Sequence, residues 1–69
     1  MVKINVKTDK FDYTITFNNN TMSMTSTDKN PNLNFENTPI PSAEEAINRF
    51  KFLMKMRNEN IIEWNETTI

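Results

Sequence analysis

The sequence predicts a small α+β protein, in which an antiparallel β-meander of three to four strands carries one α-helix packed on one face. Two patterns indicate this class. The first third of the chain alternates apolar and polar residues with the period of two of half-buried strands. Residues 43–57 instead repeat their apolar positions with the 3.6-residue period of a helix. The 69 residues have the length of one domain, so residues 1–69 are treated as a single unit.

The first two strands are predicted at residues 2–7 and 11–17. Their apolar side chains occupy every second position and therefore share one face: Val2, Ile4, Val6, Phe11, Tyr13, Ile15 and Phe17. A loop centred on Thr8 and Asp9 makes every cross-strand pair apolar. The pairs expected from this loop are Val6 with Phe11, Ile4 with Tyr13 and Val2 with Ile15.

A third strand is predicted at residues 21–26, with Met22 and Met24 facing the core. The turn before it, residues 18–20, consists of three asparagines. Asparagine tolerates a positive φ better than other residues with a Cβ, so it can take the place of glycine in such a turn. A short fourth strand is predicted at residues 33–36, where apolar and polar residues alternate again.

The helix is predicted at residues 43–57 and is the clearest element of the chain. Ser42 and Glu45 fit a capping box, in which each side chain bonds the main-chain amide of the other residue. Lys55 lies in the last turn, where a positive charge complements the helix dipole. The C-terminal segment, residues 60–65, is either a final strand or an extended stretch that packs over one edge of the core.

The composition excludes several classes of active site. The chain has no histidine, no cysteine and no glycine. It therefore lacks the commonest general base, the commonest nucleophile and the strongest transition-metal ligands. It also lacks the glycine-rich loops that cradle phosphates. We therefore predict that the protein is not an enzyme and has no catalytic, cofactor-binding or metal-binding residues.

Charge and hydropathy constrain the partner and the compartment. The net charge is −1, whereas nucleic-acid binders usually carry a basic excess. No apolar run approaches the roughly 20 residues of a membrane helix, and the N-terminus lacks the apolar block of a signal peptide. We expect a cytoplasmic protein with a protein partner and no membrane contact.

Twelve asparagines and only two alanines indicate an AT-rich genome, such as that of a small phage or an AT-rich bacterium.

The strongest candidate binding surface lies on the helix. Phe52 and Met56 are one turn apart and opposite the apolar stripe, with Arg49 beside them. Large apolar residues next to arginine are typical of interface hot spots. The predicted partner-binding residues are Arg49, Phe52, Met56 and Trp64, and the same face suits a homodimer. Alternatively, the C-terminal segment covers Phe52 and Met56, and Trp64 closes the core edge.

Two further functions remain as alternatives to this interpretation. Lys51 and Lys55 share one flank of the helix, which would suit a weak nucleic-acid-binding protein. Arg49 and Arg57 point elsewhere, and this dispersal favours a solvated face, on which Glu45–Arg49 and Lys55–Glu59 have salt-bridge spacing. The third candidate is a structural subunit of a larger assembly. The preferred prediction is a non-enzymatic protein–protein interaction module, a small accessory or inhibitor protein that acts through an exposed helix face.

Overall fold

Five antiparallel strands and one helix make up the α+β fold, which a computed structural model describes for residues 1–69. The strands are β1 (Val2–Thr8), β2 (Asp12–Asn18), β3 (Thr21–Ser26), β4 (Phe35–Pro39) and β5 (Ile61–Thr68), and the helix is α1 (Ala43–Met56). The sheet order is β4-β3-β2-β1-β5. Because β4 and β5 form opposite edges, α1 crosses one face of the sheet between them. The helix has 14 residues and is too short and too polar to span a bilayer.

The prediction of three to four strands was too low, because the C-terminal segment is a full strand. β5 pairs with β1 from Lys7–Glu63 to Val2–Thr68, so β1 is an interior strand. The fourth strand also lies later than predicted, at β4, while Leu33 is the buried residue of a 3₁₀ turn, Pro31–Leu33. Pro39 is tolerated in β4 because an edge strand can lack one ladder donor.

The first hairpin has a different register from the predicted one. The observed pairs are Val2–Phe17, Ile4–Ile15 and Val6–Tyr13. The main-chain amide of Thr8 donates to Phe11 O at 3.0 Å, and the Thr8 hydroxyl accepts from the amides of Lys10 and Phe11. These bonds extend β1 to Thr8 and move the turn along the chain. The shift leaves the same side chains on the core face, so the hydrophobic pattern alone did not separate the two registers.

Asparagines with positive φ make the tight turns that glycine usually makes. Asn19 and Asn20 have φ of 50° and 59° and join β2 to β3, as predicted. Asn58 has φ of 55° and ends α1: its amide donates to Lys55 O, and the amide of Glu59 donates to Met54 O. This pair of bonds is a Schellman motif. The helix therefore ends at Met56, one residue before the predicted end.

The core lies between α1 and one face of the sheet. The helix contributes Ala46, Phe50 and Met54, which follow one another at intervals of four residues. The remaining buried apolar side chains are Ile4, Val6, Tyr13, Ile15, Met22, Met24, Leu33 and Ile40. The Ser42 hydroxyl accepts from the amide of Glu45 at 3.2 Å, which is half of the predicted capping box. The opposite face of the sheet is polar and uncovered.

Candidate interaction surface

The outward face of α1 exposes two large apolar side chains. Phe52 is 64% exposed and Met56 is 67% exposed. Since successive helical residues are about 100° apart, Phe52 points about 160° away from the buried Phe50. The strand β5 does not cover these side chains, so the alternative in which the C-terminal segment buries them was wrong.

Arg49 borders this apolar pair. Its Nε donates to Glu45 Oε1 at 3.3 Å, one turn earlier, and both side chains remain about half exposed. This ion pair was predicted from its spacing. An exposed pair of this kind contributes only about 0.3–0.5 kcal/mol, so Arg49 can exchange Glu45 for a carboxylate of a partner at little cost. We call Arg49, Phe52 and Met56 the helix face.

Trp64 lies elsewhere. It is half-buried, its ring centroid lies 5.9 Å from that of Phe50, and the Lys51 ammonium lies 5.1 Å from its ring centroid. Lys51 is about 100° around the helix from Phe52. The structure therefore places Trp64 at the flank of α1, against the core edge, and does not bring it together with Phe52 and Met56.

The two lysines of the nucleic-acid alternative lie on this same flank. Lys51 and Lys55 are both exposed, and Lys51 is engaged by the face of Trp64. A cation over an indole face is attracted by the ring quadrupole by about 0.5–1 kcal/mol at an exposed site. The contact fixes the position of Lys51 and links α1 to β5.

An apolar cleft between α1 and β4 was missed by the sequence analysis. It has a volume of about 110 Å³, and Arg49 lies on its rim. The other lining residues are Met22, Met24, Phe35, Thr38, Ile40, Phe50 and Leu53. This volume exceeds the roughly 30 Å³ that one water molecule occupies in the liquid, and most of the lining side chains are apolar. The cleft depends on the later position of β4 and on its irregular pairing with β3, which the predicted strand at residues 33–36 did not include.

A buried carboxylate joins the end of α1 to β1 and β2. Glu59 is only 6% exposed. The hydroxyl of Thr8 donates to its Oε1 at 2.7 Å, and the hydroxyl of Tyr13 lies 2.7–2.8 Å from both of its oxygens. Nε of Arg57 donates to Oε2 at 2.6 Å, while Nη2 of Arg57 donates to Asp28 at 2.7 Å. We call these five residues the Glu59 cluster.

The hydrogen bonds keep Glu59 ionised despite its burial. Burial alone would raise the pKa of Glu59, but the bonds from Arg57, Thr8 and Tyr13 outweigh it, and the pKa is lowered. Burial and the adjacent carboxylate raise the pKa of Tyr13 to about 12. The predicted pair Lys55–Glu59 was wrong, because the Schellman turn directs Glu59 into the core, towards Arg57.

The Glu59 cluster has the character of a structural element. No buried side-chain nitrogen or oxygen lacks a hydrogen-bond partner, and Glu59 lines none of the three surface cavities. A buried charge that is fully paired connects elements of the fold, whereas a catalytic acid or base needs access to a substrate. Nowhere does the fold bring together three carboxylates that could hold a metal ion.

Comparison with known proteins adds no relative. Neither a family model, nor a curated protein, nor a solved structure matches the chain.

Proposed function

We propose that the chain is a non-enzymatic protein–protein interaction module, a small accessory or inhibitor protein of the cytoplasm that binds a protein partner through the helix face. The observation that carries the proposal is the exposure of Phe52 and Met56, at 64% and 67%, on an otherwise polar helix surface. Fully burying one such side chain is worth about 1.5–3 kcal/mol. This fold leaves that free energy unused, and a partner can recover it.

The residues around the apolar pair specify the chemistry of the partner. Arg49 is held only by an exposed ion pair with Glu45, and the apolar cleft opens beside it. A complementary surface presents an apolar patch to Phe52 and Met56 and a carboxylate to Arg49. An aliphatic side chain next to that patch fits the cleft. Methionine adapts to irregular apolar surfaces, which suits Met56 at the edge of such a contact.

The first experiment identifies the partner by its position on the helix face. A photoreactive amino acid replaces Phe52 in one protein and Thr25, on the opposite face of the sheet, in a second protein. Each protein is irradiated in host lysate, and the cross-linked products are compared. We expect one protein to be captured at position 52 and not at position 25. Equal capture at both positions, or no capture at position 52, contradicts the proposal.

The second experiment measures the affinity for the purified partner. Phe52→Asp puts a charge at the centre of the contact, and we expect it to weaken binding about 30-fold or more, the effect of a hot-spot residue. Thr25→Asp adds the same charge on the other face of the sheet and should bind like the wild type. Circular dichroism verifies that both variants are folded. A folded Phe52→Asp variant with unchanged affinity excludes the helix face as the binding site.

A further inference from the structure

The two edges of the sheet differ in their capacity to pair with another strand. β4 has five residues and contains Pro39, and Asn37 has φ of 53° next to a register shift opposite Met22–Met24. Shortness, proline and irregular pairing are the usual means by which proteins block an edge. The edge formed by β4 is therefore closed to further pairing.

β5 is neither short nor interrupted by proline. It has eight residues without proline or lysine, and its pairing with β1 is regular from Glu63 to Thr68. The only irregularity lies at its start, opposite Lys7 and Thr8. A long, regular edge strand presents a row of unpaired main-chain donors and acceptors.

The alternation of the β1–β5 ladder shows which main-chain N–H and C=O groups of β5 have no partner in the chain. Ile69 N donates to Met1 O at 2.8 Å, and the amino group of Met1 donates to Ile69 O at 2.9 Å. In an antiparallel ladder, hydrogen-bonded pairs alternate with non-bonded pairs. The main-chain groups of residues 63, 65 and 67 therefore face β1, and those of Trp64, Glu66 and Thr68 face outwards.

The outward main-chain groups of two copies of β5 can bond each other when the copies are antiparallel and centred on Asn65. If a two-fold axis passes through Asn65, Trp64 of each copy lies opposite Glu66 of the other copy. Each such pair exchanges both main-chain hydrogen bonds, and Thr68 lies opposite Ile62 beyond them. This register overlaps the whole of β5. A shift of the axis to Glu66 would set two carboxylates directly opposite each other, which is unfavourable.

Side-chain charges favour the same register. Trp64 and Glu66 lie on the helix side of the sheet, since their partners in β1 are the buried Val6 and Ile4. The Lys51 ammonium lies 5.1 Å from the ring centroid of Trp64, and Glu66 of a second copy would be the cross-strand neighbour of that Trp64, next to the ammonium. Within one chain, neither Lys51 nor Glu66 forms a salt bridge.

We propose that two copies of this chain associate through β5, antiparallel and edge to edge with the axis at Asn65, to form one continuous sheet in which Lys51 of each copy pairs with Glu66 of the other. The homodimer interface then lies on β5 and not on the helix face suggested by the sequence. Both helix faces remain free in the dimer, so the inference is independent of the proposed function. The contact buries less area than a standard interface, so the dimer dissociates on dilution.

The test measures mass against concentration by analytical ultracentrifugation. For Glu66→Lys, we expect the dimer dissociation constant to rise about tenfold, because two symmetric ion pairs of up to about 1 kcal/mol each are lost. The double variant Lys51→Glu, Glu66→Lys should restore the wild-type value to within about threefold, since it reverses the pair. Glu36→Lys makes the same charge change on the β4 edge and should have no effect.

A second variant keeps the test independent of charge. Glu66→Pro removes an amide that bonds nothing in the single chain, so the strand should keep its pairing with β1 while the dimer is lost. In the wild type, hydrogen exchange should slow on dimerisation at the amides of Trp64 and Glu66, which the proposed register pairs with the second copy. A wild type that stays monomeric throughout the series overturns the proposal. A Glu66→Pro variant that still forms the dimer also overturns it. The same holds if Phe52→Asp, on the helix face, dissociates the dimer.

Discussion

Glu59 and Phe52 both occupy surroundings that their chemistry disfavours, yet they differ in the contacts that the rest of the chain provides. Glu59 is a charge inside the fold, and every oxygen of its carboxylate is bonded within the same chain. Phe52 is a large apolar group in solvent, and nothing in the chain covers it. A buried charge with all its partners is explained by the fold itself. The fold does not explain an aromatic side chain that the rest of the chain leaves exposed. Such a side chain is more typical of a surface that binds a second molecule.

The comparison separates two signals that are easily confused. A shifted pKa marks many active sites, and the shifts in this molecule fall on Tyr13, Arg57 and Glu59. Their cause is mutual pairing between the end of α1 and the first hairpin. The helix face differs in kind, because its unusual feature is the exposure of Phe52 and Met56. We therefore assign the shifted pKa values to the stability of the fold, and we propose that the exposed apolar side chains serve binding.

The largest effect is expected from Glu59→Ala. It removes the carboxylate that pairs with Arg57 and accepts from two hydroxyls, so that Arg57 keeps only Asp28, Thr8 keeps only Phe11 O and Tyr13 has no acceptor. The free energy of unfolding should therefore fall by about 3–5 kcal/mol. That is a large part of the stability expected for 69 residues, about 3.5–10 kcal/mol at about 0.05–0.15 kcal/mol per residue. Urea denaturation measures the loss, with the exposed Glu63→Ala as control. A loss below about 1 kcal/mol would mean that the Glu59 cluster does not hold the fold together.

The next effect is a loss of stability in alkali. The pKa of Tyr13 is raised to about 12 in the fold, above its ordinary value near 10. Stability from this group is complete below pH about 10 and is lost as the pH rises towards 12, by up to about 3 kcal/mol. Tyr13 is the only tyrosine, so tyrosinate absorbance follows it alone. The Tyr13→Phe variant should lack this part of the alkaline loss; identical pH profiles would refute the assignment.

The smallest effect is expected on the helix face. Phe52→Ala should change the free energy of unfolding by no more than about 0.5 kcal/mol, as for other surface substitutions. Phe50→Ala, two residues earlier, removes a buried ring and should cost about 3–5 kcal/mol. The pair is compared by thermal unfolding. Similar losses in the two variants would place Phe52 in the core and remove the basis for the binding surface.

Local patterns predicted most of the elements of this fold. Alternation located β1, β2 and β3, and the helical period located α1 to within one residue at its end. The asparagine turn at Asn19 and Asn20 followed from the backbone tolerance of that residue. These features depend on neighbours in the sequence, which is why a single sequence contains them.

Long-range pairing was not predictable in the same way. The polar side chains of β5 gave no strong alternation, because this edge strand has little buried surface. The role of Glu59 depends on Thr8 and Tyr13, which are far from it in sequence. The residues next to Glu59 in the sequence predict only the end of a helix. The helix face was identified from the helical period, but its exposure depended on where the C-terminal segment ran.

The position of β1 between β2 and β5 also has a consequence for folding kinetics. The β1–β2 hairpin closes a short loop, whereas β1–β5 pairing brings together residues near opposite ends of the chain, Val2 and Thr68. Closing a long loop costs more entropy, and non-local pairings slow the folding of small domains. We therefore expect β5 to dock last, onto a meander that is already formed. Until it docks, the unpaired edge belongs to β1, whose apolar side chains make that intermediate the species most prone to aggregate.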